Sequence, residues 1–269
     1  MTPRARRAGP ILYAHRGAAA WLPENTLPSF RRALASGADA LEMDVHLCRD
    51  GHVVVAHDPD GRRTAGVAGR IRECSLAEIR SWNVGRTFVD REGSRPGRHA
   101  QFVVPTMDEV HAELDGVPLN IDVKDWRPDI VPAVLRVIER RGAVDRVCLA
   151  SFYSHILFHL RRRGYGGALA LGREEVVALK FLPLALLRRL CVHSRAAQVP
   201  TRVGPIDFAQ PSFVKKCRAL DMTLDFWTIN DPDAASKLLA LGADGIMSDD
   251  PELIAPVVSR YRAARGVSA

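Results

Sequence analysis

His15 closes the apolar run 11–14 and His57 closes the run 53–56, with Glu42 and Asp44 in a third run between them. Imidazole exchanges protons near neutral pH, which suits two such rings to general acid and base work. Glu42 and Asp44 are two residues apart, so in a strand both carboxylates leave the same face. A carboxylate pair is costly to bury unless a shared proton or a hard cation relieves it. An all-oxygen donor set favours Mg²⁺ or Ca²⁺ over zinc. Arg16, beside His15, offers a planar and permanently charged fork that matches phosphate. Taken singly, a strand-end histidine is more often structural than functional. Together, these residue types point to cation-assisted attack on a phosphodiester.

Such side chains act only if a scaffold brings them together. Short apolar runs at 11–15, 40–47, 119–123, 147–150, 168–171, 196–199, 223–227 and 245–247 read as eight strands. Helical stretches at 26–36, 107–114, 128–141, 231–241 and 251–262 fall between or after them, with Gly37 and Gly142 as stops. Alternation of this kind predicts an α/β protein, a single (β/α)8 TIM barrel spanning 11–265. The ends of its strands then converge on one mouth. The run 53–56 extends the sheet or forms a hairpin arm. The least regular part, 58–104, is expected as a mouth-side insertion that shapes the site. It holds a short helix at 75–81, opened by a Ser75/Glu78 capping box, and a polar loop at 90–101.

The 269 residues suit one large domain, and 47% hydrophobic residues suit a substantial core. A net charge of +7 favours anionic partners: phosphate esters, anionic lipid surfaces or nucleic acid. Five cysteines, an odd number with no CxxC pair, argue against a disulfide framework or zinc cluster and for reduced thiols in a cytoplasm. Residues 1–10 are basic and lack an apolar h-region, so they are expected as a flexible leader rather than a secretory signal; no transmembrane span is visible. Residues 174–192 are leucine-rich and carry Lys180, Arg188 and Arg189. The simple expectation is an outer helix broken at Pro183. The alternative is an apolar lip that contacts a bilayer or an acyl chain, placing the protein at the inner membrane face.

The residue patterns at 15–17 (HRG), 23–26 (PENT), 42–44 (ExD) and 57–58 (HD), then 63–64 (RT), 104–110, 121–124, 226–230 and 242–251, resemble the glycerophosphodiester phosphodiesterase family, in the family's order and over nearly the whole chain. The resemblance implies a barrel of the phospholipase C-like phosphodiesterase type. It implies hydrolysis of glycerophosphodiesters to glycerol 3-phosphate and an alcohol, with water or the substrate's own hydroxyl as nucleophile. It assigns His15 and His57 as the acid/base pair and Glu42 and Asp44 as ligands of a divalent cation, Mg²⁺ or Ca²⁺. Asp122 stands where the family usually has glutamate, so it is the third ligand with a shorter reach. Arg16 and Lys124 are the implied phosphate contacts, and Trp227 the aromatic floor. Glu24 is a further ligand or a loop anchor. Gln198 and Phe152 are lesser candidates at the mouth. Asp249 and Asp250 are expected to cap the last helix. The partner is then a small-molecule phosphodiester. The rival within the class is a lysophospholipase D acting on lysophospholipids. The rival outside it, an anion- or nucleic-acid-binding barrel without catalysis, lacks any nucleic-acid motif.

Overall fold

The computed structural model describes residues 9–190 and 194–266. Its strands are β1 (Ile11–His15), β2 (Ala40–Leu47), β3 (Val53–Val55), β4 (Leu119–Val123), β5 (Val147–Ala150), β6 (Ala168–Leu169), β7 (Ala196–Val199), β8 (Arg202–Val203), β9 (Ile206–Asp207), β10 (Thr223–Phe226) and β11 (Gly245–Ser248). Eight of them lie side by side in the order β6-β5-β4-β2-β1-β11-β10-β7, every neighbouring pair parallel. A parallel bridge between Ala170 and Ala196 joins the two ends of that row. The hydrogen bonds Leu171 N–H to Ala196 O (2.8 Å) and Arg195 N–H to Leu169 O (2.8 Å) reinforce it. The sheet is thus an eight-stranded parallel α/β barrel of the TIM type. The run at 53–56 is a hairpin arm: β3 pairs antiparallel with β2. β8 and β9 form a separate small hairpin.

Alternation along the strands explains the packing. Leu41, Met43 and Val45 of β2 and Ile121 and Val123 of β4 are buried outward, against Phe30, Ile130, Val134 and Ile138 of the surrounding helices. A fully buried aliphatic side chain of this kind stabilises the fold by about 1.5–3 kcal/mol. The inward residues of the same strands are polar: Glu42, Asp44, Asn120 and Asp122, all buried. Deeper in the barrel, Gln198 donates to Asn120 Oδ1 at 2.9 Å and lies 3.4 Å from Asp225 Oδ2. Gln198, half-buried, therefore ties strands together across the barrel. Burial pushes the Asp225 carboxyl up to about 7, against the Gln198 hydrogen bond that favours its charge.

The insertion has a core of its own, in which Ile71, Ile79, Trp82, Val84, Phe102 and Val104 pack on Val54 of the hairpin arm. Its helix Leu76–Arg80 opens with the expected capping box. The stretch 174–192 contributes to the wall through one face. Helices Arg173–Phe181 and Leu184–Leu190 break at Pro183, and Leu179 and Leu187 are buried in the barrel's second apolar cluster. The other face of the same helices leaves Val177 (45%), Phe181 (62%) and Leu186 (44%) in solvent. Positions 191 and 192 of that stretch, and most of the expected leader, lie outside the described residues. Among the described residues, no helix is long and apolar enough to cross a membrane, and no disulfide engages Cys48, Cys74, Cys148 or Cys217.

Candidate active site

β1, β2 and β4 are neighbours, and their register sets His15 opposite Glu42 and Asp44 opposite Asp122. His15 and the three carboxylates therefore meet inside the barrel near the ends of the strands. The chain after β1 turns through two left-handed residues, Arg16 (φ 57°) and Gly17 (φ 89°). That turn aims the Arg16 N–H at Glu42 Oε2, 3.0 Å away. It also brings Gly17 so close to Ser29 that a Cβ would lie 2.4 Å from Ser29 Oγ, which only glycine avoids. Asn25 (φ 57°), from the turn at 23–26, donates to Asp44 Oδ2 at 2.9 Å.

Each histidine is held by an aspartate. His15 Nδ1 is 2.7 Å from Asp249 Oδ1, and His57 Nδ1 is 2.7 Å from Asp58 Oδ1. Asp249 is held ionised below its ordinary pKa despite burial, chiefly by its hydrogen bond with His15. Asp58 is held low likewise, by hydrogen bonds from Arg63 and His57 that outweigh burial. An ionised carboxylate only accepts, so both Nδ1 atoms carry the hydrogen and both Nε2 atoms are left for chemistry. Burial works against a charge on His15, yet Glu42, with Nε2–Oε2 at 3.9 Å, and Asp249 outweigh it and raise its pKa. The His57 carbonyl accepts from His46 Nε2 at 3.0 Å.

The carboxylates are short of positive charge. Glu42, Asp44 and Asp122 face Arg16, whose Nε is 3.1 Å from Asp44 Oδ2, and Lys124, whose Nζ is 2.6 Å from Asp122 Oδ2 and 3.2 Å from Asp44 Oδ1. Burial, compounded by repulsion from Asp44, pushes Glu42 up to about 8. Burial also raises Asp122, even with Lys124 beside it. Asp44 is lowered, because Lys124 and Arg16 overcome its burial. Asp44 Oδ1 and Asp122 Oδ1 are buried without an aligned hydrogen bond. With Lys124 spanning Asp44 and Asp122, no three His, Cys, Asp or Glu side chains among the described residues are drawn into a metal cage. Oxygens without an aligned hydrogen bond and a carboxylate driven toward its acid form are nevertheless what an oxygen-only donor set one cation short produces. The residues fit a hard divalent ion.

Glu24 anchors its loop: both Oε atoms accept from Arg63 (2.7 and 2.8 Å) and Oε1 accepts from Arg16 at 3.2 Å. Trp227 lies just past β10, with its ring centroid 6.0 Å from that of Phe152 at 74°. Lys124 Nζ is 5.1 Å from the Phe152 ring, so Phe152 stands between Lys124 and Trp227. Of the two aspartates expected as caps, only Asp250 caps, its side chain accepting from Leu253 N–H. Asp249 instead grips His15, with Asn230 donating to its other oxygen at 2.8 Å. Asp58, Arg63, Asn25 and Asn230 were not among the expected site residues. Asp58 was within reach, being adjacent to His57 in the chain.

The sequence pattern of the glycerophosphoryl diester phosphodiesterase family matches residues 15–253. A glycerophosphodiester phosphodiesterase of Caldanaerobacter subterraneus subsp. tengcongensis is 30% identical, over 93% of this chain and 98% of its own. A lysophospholipase D of Homo sapiens is 24% identical, over 93% of this chain and 86% of its own. Among solved structures, a phosphodiesterase of Oleispira antarctica in complex with the product sn-glycerol-3-phosphate superposes with a TM-score of 0.76 at 26% identity, covering 93% of this chain and 97% of that one.

Proposed function

The chain belongs to the glycerophosphoryl diester phosphodiesterase family, and from that premise we propose how it carries out the glycerophosphodiester phosphodiesterase activity that membership brings. The products are glycerol 3-phosphate and an alcohol; the Oleispira antarctica relative holds the first of these as its product. The observation that carries the reading is the pair of His–Asp couples, His15–Asp249 and His57–Asp58, around one cluster of buried carboxylates.

Glu42, Asp44 and Asp122 would hold the divalent cation, Mg²⁺ or Ca²⁺. When bound, such an ion supplies Lewis-acid polarisation of the phosphoryl oxygens. Arg16 and Lys124 balance the remaining phosphate charge, Lys124 turning to it from Asp44 and Asp122. One imidazole Nε2 takes the proton of the nucleophile and the other delivers a proton to the departing alkoxide oxygen. The aspartates keep both rings in the tautomer this exchange needs. Overall the P–O bond to the alcohol breaks, the hydroxyl of one water ends on phosphorus, and its hydrogen ends on the alcohol. His15→Ala and His57→Ala should each lower kcat by roughly 100-fold or more while the circular dichroism spectrum is unchanged. Near-normal turnover in either variant removes that residue from the mechanism.

A second reading extends the substrate to lysophospholipids, as in the human relative. It is favoured by Trp126 (59% exposed), Phe152 (52%) and Tyr153 (40%), which stand in solvent just past the ends of β4 and β5. Apolar side chains at that rim suit an acyl chain or a bilayer surface better than water. If they do so, Trp126→Ala combined with Tyr153→Ala raises KM for lysophosphatidylcholine in vesicles and leaves KM for glycerophosphocholine unchanged. Equal effects on both substrates restrict the enzyme to the short diesters.

A further inference from the structure

We propose that Arg63, supplied by the insertion, is a positioning residue for the proton-transfer step, clamping Asp58 to Glu24 so that the His57 ring cannot turn. This deepens the reading above and rests on His57 being one of the two proton-transfer groups. Arg63 Nε donates to Asp58 Oδ2 at 2.6 Å, while Nη1 and Nη2 take Glu24 Oε2 and Oε1 at 2.8 and 2.7 Å. Asp58 has its other oxygen on His57 Nδ1. Glu24 reaches Arg16, and Arg16 reaches Asp44. Two segments distant in sequence, the turn at 23–26 and residues 58–63, are thereby fixed to each other through a single guanidinium. A cavity of about 20 Å³, lined in part by His57, Asp58, Arg63 and Trp82, lies alongside. On that side these hydrogen bonds, not packing, set the ring's angle.

The fork explains the residue type. One planar group meets two carboxylates through three N–H donors, which a lysine ammonium on a flexible stem cannot reproduce. Arg63 is itself half-exposed, and ion pairs at such positions add little to stability. Its removal should therefore be felt in turnover and not in melting. The backbone that carries it is separately fixed, with Thr87 Oγ1 donating to the Arg63 carbonyl at 2.6 Å.

Arg63→Met and Arg63→Lys, with His57→Ala and the remote insertion variant Arg80→Met as references, are measured at saturating Mg²⁺ or Ca²⁺. The expected result for Arg63→Met is a kcat lowered roughly 10- to 100-fold with the melting temperature unchanged and KM within about threefold. Arg63→Lys recovers only part of the loss, and Arg80→Met loses nothing. In the metal-free protein, the ¹⁵N signals of the His57 ring pass from one fixed Nδ1–H tautomer to a mixture in Arg63→Met. A raised KM with unchanged kcat would mean that Arg63 holds the substrate directly and overturns the assignment. An unchanged kcat, or a lowered kcat with the His57 tautomer intact, overturns it as well. An active His57→Ala would bring down the mechanism itself, whereas a dead His57→Ala beside a fully active Arg63→Met removes only the role of Arg63.

Discussion

Gly17 follows Arg16 into left-handed backbone, and its α-carbon faces Ser29 with no room for a methyl group. Gly17→Ala combines that steric conflict with an unfavourable φ, so a loss of about 2–4 kcal/mol in a urea melt is expected. A loss below half a kcal/mol would mean the turn relaxes. Asp249→Asn tests the His15 couple: an amide can offer N–H to Nδ1 and reverse the tautomer, so kcat should fall roughly 10- to 100-fold with little change in KM. Unchanged kcat would make Asp249 a bystander. The residues flanking β1 to β4 were legible in sequence because alternation fixes their side: Glu42 with Asp44, and Asp122 with Lys124. Asp249 was not, since its partner lies 234 positions away and is met only when β11 pairs with β1. One clue was present. A helix start needs one capping carboxylate, and the chain has two in succession, Asp249 and Asp250.

At the scale of elements, the insertion is a small folded unit that delivers Arg63, and Trp82 is the large side chain at its centre. Trp82→Ala should cost about 3–5 kcal/mol by opening a cavity there. Turnover should then fall together with stability, in contrast to Arg63→Met. A dead enzyme of unchanged stability would contradict this. The helix Met107–Glu113 carries His111, which is buried with no hydrogen-bond partner at either ring nitrogen. Burial, with Arg146 and Arg141 nearby, drops its pKa to about 4. The unfolded ring takes its proton near pH 6.5, so between these values the unfolded chain binds more protons than the folded one. The folded state therefore keeps this contribution above pH 6.5 and loses it as pH falls toward 4, on the order of 3 kcal/mol when complete. His111→Leu should flatten the fall of the urea midpoint between pH 7.5 and 4.5. A parallel fall in both proteins would place the acid sensitivity elsewhere. Strand and helix positions were largely readable from periodicity and caps. The insertion was not, because its order comes from packing on β3 rather than from any repeating pattern.

For the whole molecule, the eight-strand count and their order in the ring were legible because each βα unit announces itself locally. How the apolar stretch at 174–192 is used was not. Apolar side chains that pave a barrel wall and those that face outward look alike in sequence, and only the structure separates buried Leu179 and Leu187 from exposed Val177, Phe181 and Leu186. Exposed aromatics also stand past the ends of β4 and β5, at Trp126, Phe152 and Tyr153. The charge pattern makes the same point. A net charge of +7 invites anionic partners in general, but the deficit of positive charge among Glu42, Asp44 and Asp122 is local and calls for a cation. Chelation should therefore silence the enzyme without unfolding it. The most direct measurement follows glycerophosphocholine by ³¹P NMR with the protein in Mg²⁺, in Ca²⁺ and in EDTA. The mechanism proposed here predicts conversion of the diester signal to glycerol 3-phosphate with either or both ions and none in EDTA, restored when the ion is returned. Conversion at an undiminished rate in EDTA, or none under any condition, would contradict it.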